Sequence, residues 1–124
     1  MSGSVITFAE EPPEVLPIFP LPGVLLLPRG RLPLVLFEPR YLNMALDALG
    51  NRRIIGMVQT KGAEPHPVVD DAPVYDIGCA GRITNFAETD DGCYQITLSG
   101  IARFHIADEL ALENGYRRVR PDFG

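Results

Sequence analysis

The residues that chemistry most often needs are scarce in this 124-residue chain. There is one lysine, Lys61, and there are three serines, of which Ser2 and Ser4 lie near the start and Ser99 precedes a glycine in a strand-like run. No glycine-rich loop ending in Lys-Ser or Lys-Thr is present to cradle a nucleotide phosphate. The two histidines stand alone: His66 lies between Pro65 and Pro67, and neither it nor His105 has ligand spacing to the other or to a cysteine. Nucleophilic and metal-assisted catalysis therefore lack their parts, so no enzymatic activity, metal site or cofactor is expected.

Long apolar runs are missing as well. A membrane helix needs roughly 20 apolar residues, and the most leucine-rich stretch, Val24 to Leu27, stops at Pro28. The opening, MSGSVITFAEEPPE, lacks a basic start followed by an apolar core, so no signal peptide is expected and the cytoplasm is the default location. A net charge of −5 disfavours general binding to nucleic acid or to an anionic membrane.

Cysteine is limited to Cys79 and Cys93, on neighbouring strand-like runs. Alternation argues against a bridge. Tyr75, Ile77, Cys79 and Ile83 share one parity and read as buried, whereas Cys93 has the opposite parity to Tyr94, Ile96 and Leu98. Free thiols are expected.

What the chain does have is proline and glycine, 12 of each, which argues for turns and bent strands over a helix bundle. With 46% hydrophobic and 22% charged residues, it is sized and composed for one globular domain. Residues 1–14 are acidic and proline-ended, which predicts a flexible tail. Leu16 to Leu21 reads as a strand at an edge or rim, because Pro17 and Pro20 cannot donate to a ladder. Pro22-Gly23 turns the chain into the apolar piece Val24 to Leu27, and Arg29 to Arg31 forms a polar turn. Ile54 to Gln59 reads as a buried strand, and Thr60 to Pro73 as loop. Val74 to Phe86 and Cys93 to Ile106 form a long hairpin, kinked at Gly78, Gly81 and Gly100, and Tyr116 to Arg120 is a last strand ended by Pro121. Long bent antiparallel strands of this kind suggest a small closed or nearly closed barrel.

The best-defined local feature is Leu32 to Gly50, LPLVLFEPRYLNMALDALG, a strand that turns at Phe37-Glu38-Pro39 into a helix. Pro39 suits the first helical position, Glu38 the cap, and Phe37 with Leu42 the staple. Leu42, Ala45, Leu46 and Leu49 repeat at helical spacing, which predicts a buried stripe, and Gly50 is expected to close the helix in the C′ role.

The strand LPIFPLPG, the lead-in PRGRLPL and the corner FEPRY, all between Leu16 and Tyr41, together resemble the amino-terminal domain of Lon proteases, a substrate-binding domain also found in stand-alone bacterial proteins. The later hairpin, GCAGRITNF and CYQITLSGIARF, is similar to the family too. The resemblance implies a mostly β (α+β), PUA-like pseudo-barrel over residues 15–124 with one helix packed on it, without the carboxy-terminal helices with which the family usually continues. Lon proteolysis uses a serine and a lysine, so the scarcity of both places the resemblance outside the ATPase and protease parts. It implies a non-enzymatic module that holds unfolded or exposed polypeptide segments, with polypeptide substrates or partner proteins and self-association in view, and no membrane.

Candidate polypeptide-binding residues follow from this. Leu25, Leu26 and Leu27 either fill a strand buried on both faces or leave apolar surface exposed for a partner. Arg40 and Tyr41 flank the corner, where a structural role competes with a binding one: Tyr41 packing beside the stripe and Arg40 pairing with a carboxylate or carbonyl. The alternative function is RNA binding. Arg29, Arg31, Arg40, Arg52 and Arg53 against Glu38 and Asp47 make the segment 29–53 net +3, and Arg117, Arg118 and Arg120 form a second group. Aromatic residues for base stacking are sparse around both, apart from Phe37, Tyr41 and Tyr116, so nucleic acid is the weaker reading.

Overall fold

Apolar runs in the sequence become six strands, β1 (Leu16–Leu21), β2 (Arg31–Leu36), β3 (Ile54–Thr60), β4 (Val74–Glu88), β5 (Tyr94–Glu109) and β6 (Arg117–Asp122), with one helix, α1 (Pro39–Leu49), between β2 and β3. This computed structural model describes residues 11–62 and 71–124; most of the expected tail and the loop segment with His66 lie outside the described residues. Strands β5, β4, β3, β1 and β6 pair in that order, and β6 pairs back onto β5, closing a ring of five. Strand β2 adds to the ring from outside. The length of β5 allows this, because Tyr94 to Ser99 pair with β2 while His105 to Glu109 pair with β6. Among the described residues the fold is thus the expected small, mostly β barrel with a single helix. No described helix is long and apolar enough to cross a membrane.

Alternation along the strands separates two cores. Leu16, Ile18, Ile54, Val58, Ala80, Phe104 and Val119 fill the barrel. The Phe104 ring fits there only because Gly56 and Gly78 lack side chains: a Cβ on Gly78 would lie 2.9 Å from Phe104 Cζ and 2.5 Å from the Met57 carbonyl oxygen. The second core lies between the outer wall and α1, where Phe19, Ile55, Met57, Cys79 and Leu98 meet Tyr41, Met44, Ala45 and Ala48.

The helix departs from its expected stripe. Tyr41, Met44, Ala45 and Ala48 are the buried positions, and Leu46 is 50% exposed. Of the expected stripe, Ala45 is buried and Leu42 and Leu49 are half-buried against the same core, so Leu46 is the residue that departs from it. Pro39 does start the helix, and Glu38 is its cap residue, but the Glu38 side chain makes no capping bond. It pairs instead with Arg40, Oε1 to Nη2 3.1 Å. Phe37 is 61% exposed and does not act as a buried staple. Gly50 stays right-handed at φ −79, and Arg53 takes the left-handed conformation at φ 63. The Arg53 N–H donates to the Ala48 carbonyl at 2.7 Å, so the chain reverses three residues later than expected.

Strand β1 is not an edge. It runs parallel to β3 through Ile18–Leu21 and antiparallel to β6 through Leu16–Ile18. Pro17 pairs with Arg118 and Pro20 with Val58, so each proline sits where the strand has one paired neighbour and its missing N–H can face the unpaired side. Pro121 does not end β6, because it pairs with Ile106. Both cysteines are free thiols; Cys79 is buried and Cys93 half-buried.

Candidate functional site

After β1 the chain turns at Gly23, whose φ of 69 lies in the left-handed region that glycine adopts freely. Residues 24–27 then cross the outer wall of the barrel without regular structure. Backbone hydrogen bonds hold the far end of this loop. The Arg29 N–H donates to the Gly100 carbonyl at 2.9 Å, and the Gly100 N–H donates to the Gly30 carbonyl at 2.8 Å. Only glycine fits at 100, since a Cβ there would stand 2.0 Å from the Leu27 carbonyl oxygen.

So tightly docked a loop has room for one leucine underneath. Leu26 is that residue, 4% exposed, and its Cδ2 would lie 2.8 Å from a Cβ on Gly81. Leu25 and Leu27 stay outside, 63% and 46% exposed. The three consecutive leucines therefore divide, one in and two out.

Facing them is the start of β4. Tyr75 and Ile77 are about half exposed, which corrects their expected burial. The cause is local: Val58 pairs with Gly78 and Thr60 with Val74, so three β4 residues stand opposite Gln59 alone and bulge from the ladder. Between loop and bulge lies an open, mainly apolar groove of about 420 Å³, with Met57 and Cys79 in its floor and Arg103 among its lining residues. Burial pushes the Cys79 thiol above its ordinary pKa, against smaller lowering effects from backbone hydrogen bonds and the Arg103 charge, so the thiol stays protonated and unreactive.

Arg40 and Tyr41 lie elsewhere. Tyr41 is 4% exposed and packs 4.3 Å from Phe19, ring to ring. Arg40 lies over that ring at 4.7 Å while holding Glu38. Neither lines the groove, and both do structural work at the corner. Leu25, Leu26 and Leu27 are together in the groove, and the sequence reading missed Tyr75, Ile77 and Arg103. Tyr75 and Ile77 had shown as an alternating pair, but alternation cannot reveal a bulge.

The basic groups divide: the second group is engaged, whereas Arg29, Arg31 and Arg53 of the first make no side-chain hydrogen bond or ion pair among the described residues. Arg117 is buried and holds Glu109 through two hydrogen bonds of 2.7 and 2.8 Å and the Ala72 carbonyl at 2.9 Å. Arg118 reaches the Ala111 carbonyl, Arg120 approaches Asp108 at 4.0 Å, and Arg82 donates to the Arg52 carbonyl. Among the described residues, no group of three or more His, Cys, Asp or Glu is placed to hold a metal ion.

The family profile of the ATP-dependent protease La (LON) substrate-binding domain matches residues 15–122. The chain belongs to this Lon family. It is 32% identical over 114 residues to Lon protease 2 of Myxococcus xanthus and 31% identical over 121 residues to the Lon protease of Anaeromyxobacter dehalogenans. Those matches cover 91% and 97% of this chain but only 13% and 14% of the relatives' length. The crystal structure of a Lon N-terminal domain protein from Xanthomonas campestris is similar with a TM-score of 0.68 at 28% identity, covering 88% of this chain and 59% of that one. The N-terminal domain of Mycobacterium avium complex Lon protease shares the fold, with a TM-score of 0.63 at 14% identity. The FEPRY corner that carries the resemblance lies outside this groove. The groove is built from the loop that follows LPIFPLPG and from the first residues of β4.

Proposed function

We propose that this domain recognises polypeptide without covalent chemistry, holding unfolded or exposed apolar segments in the groove between Leu25, Leu27 and the Tyr75–Ile77 bulge. The observation that carries this is the pair of outward leucines facing a half-exposed Tyr75 and Ile77 across an open groove, in a member of a substrate-binding domain family. Monomeric proteins keep such patches where partners bind. Burying one leucine-sized side chain contributes about 1.5–3 kcal/mol, and ordering the bound segment offsets much of that. The expected result is weak and permissive binding, suited to clients that share exposed apolar residues and little else. The free edge of β2 adds backbone groups that pair with any extended chain, although Pro33 removes one donor there. Self-association through the same surface belongs to this reading. The net charge of −5 and the engagement of the second arginine group, Arg117, Arg118 and Arg120, support polypeptide over RNA as the ligand.

The test is fluorescence anisotropy with a labelled, reduced and unfolded model protein. Leu25→Ser and Leu27→Ser are expected to weaken capture several-fold while changing stability by less than about 1 kcal/mol, since exposed leucines leave no cavity. Leu26→Ser is expected to destabilise by more than about 2 kcal/mol. Unchanged capture by both outward variants would remove the groove from the proposal.

A further inference from the structure

One groove residue carries an unengaged positive charge. Arg103 stands opposite Cys79 in the β4–β5 ladder, and Cys79 stands opposite Met57 in the β3–β4 ladder. Residues directly opposite in a ladder project from the same face, so the Arg103 side chain leaves the wall on the groove side. It is exposed and, among the described residues, has no hydrogen-bond or ion-pair partner. Arg29, Arg31 and Arg53 also lack one, but none of them lines the groove. Asp76, the other charged lining residue, is exposed in the Tyr75–Ile77 bulge and makes no ion pair with Arg103. The groove therefore combines an apolar trough with a guanidinium that no carboxylate of the described residues pairs with.

That combination matches one part of a polypeptide better than any other. A mid-chain apolar segment offers neutral amides and leaves the guanidinium without a counter-charge. A chain terminus offers an apolar side chain and an anion on the same residue. We propose that the groove receives the carboxy-terminal end of a polypeptide, its last apolar side chains lying against Leu25, Leu27 and Ile77 and its terminal carboxylate on Arg103. A planar guanidinium takes a carboxylate through two parallel hydrogen bonds, which fixes orientation as well as affinity. The 420 Å³ volume suits one or two terminal residues, falling in the ~300–1,000 Å³ range of small-ligand clefts. This inference rests on the groove being the polypeptide site.

The experiment compares two N-terminally labelled peptides ending in Ala-Leu-Leu, one with a free terminal carboxylate and one amidated, by anisotropy on the intact protein. The free acid is expected to bind roughly tenfold more tightly than the amide, and added salt should narrow the gap. Arg103→Gln should bring the acid down to the affinity of the amide and leave the amide unchanged, with Arg103→Lys restoring part of the difference. Equal binding of acid and amide to the wild-type protein overturns the terminus assignment and leaves the groove as a site for apolar segments. If neither peptide nor the reduced unfolded protein binds, the groove reading falls with it. If sodium decanoate displaces the labelled peptide at lower concentration than the unlabelled free acid does, the site takes fatty acids and the polypeptide assignment is overturned.

Discussion

Leu46 and Met44 lie two positions apart on α1 and differ in every energetic respect. Met44 is fully buried against the sheet, whereas Leu46 keeps half its surface in water. Met44→Ala is expected to cost about 2–5 kcal/mol, and Leu46→Ala less than about 0.5 kcal/mol; urea melts of the two variants check the pair. The sequence pattern favoured Leu46 because a leucine at helical spacing counts as core. The packed face is instead centred on Met44, Ala45 and Ala48, with Leu42 and Leu49 at its margins and Leu46 beyond it. Thiol reactivity offers a second check at this scale. In native protein Cys93 should react with a chromogenic thiol reagent while Cys79 stays silent, and denaturation without reductant should expose two thiols. A native protein in which both react at once would mean that the groove floor opens to solvent.

The loop from Val24 to Gly30 is an element held mainly by its backbone, and its position depends on Gly100. A methyl group there would collide with the Leu27 carbonyl at 2.0 Å, so the loop must lift. Gly100→Ala is expected to cost about 1–3 kcal/mol by overpacking and also to weaken polypeptide capture, which melts and anisotropy read separately. Loss of stability with full capture would show that the loop does not shape the site. At the other end of β5, the pair Arg117–Glu109 fastens β6 to the ring. Arg117→Ala is expected to cost about 3 kcal/mol or less, below a fully buried pair, because the Glu109 side chain remains 39% exposed. The hairpin β4–β5 and the corner before α1 were legible in the sequence, since turn residues and Pro39 act locally. The bulge at Tyr75–Ile77 was not, because it exists only through the register with β3.

At the scale of the whole molecule, α1 is tied to the connection between β5 and β6 through one carboxylate. The Tyr116 hydroxyl and the Asn114 side-chain amide each donate to Asp47 Oδ2 at 2.8 Å, and Asn43 donates to the Asn114 carbonyl at 3.1 Å. Burial first, then the hydrogen bond and charge of Asp47, push the Tyr116 hydroxyl well above the ordinary tyrosine pKa. Its neutral form is therefore favoured in the folded state more than in the unfolded one. The stabilisation is fully present below about pH 10, where an unfolded tyrosine is still protonated, and is lost as pH rises further. Stability of the wild-type domain should fall above that pH, and Tyr116→Phe should flatten the fall; an identical slope in both proteins would remove Tyr116 from the alkaline transition.

Local chemistry in the sequence was enough for a mostly β fold, the long hairpin, the strand-to-helix corner, the free thiols and the Lon-like pattern between Leu16 and Tyr41. Each depends on turn residues, proline geometry or period-two alternation, which act between near neighbours. Closure of the ring, the parallel pairing of β1 with β3, the single inward leucine at 26 and the placing of Leu25, Ile77 and Arg103 around one groove were decided by the tertiary structure. Alternation marks which side chains share a face, but long-range pairing determines which face is covered, and that decides where apolar surface and unpaired charge remain.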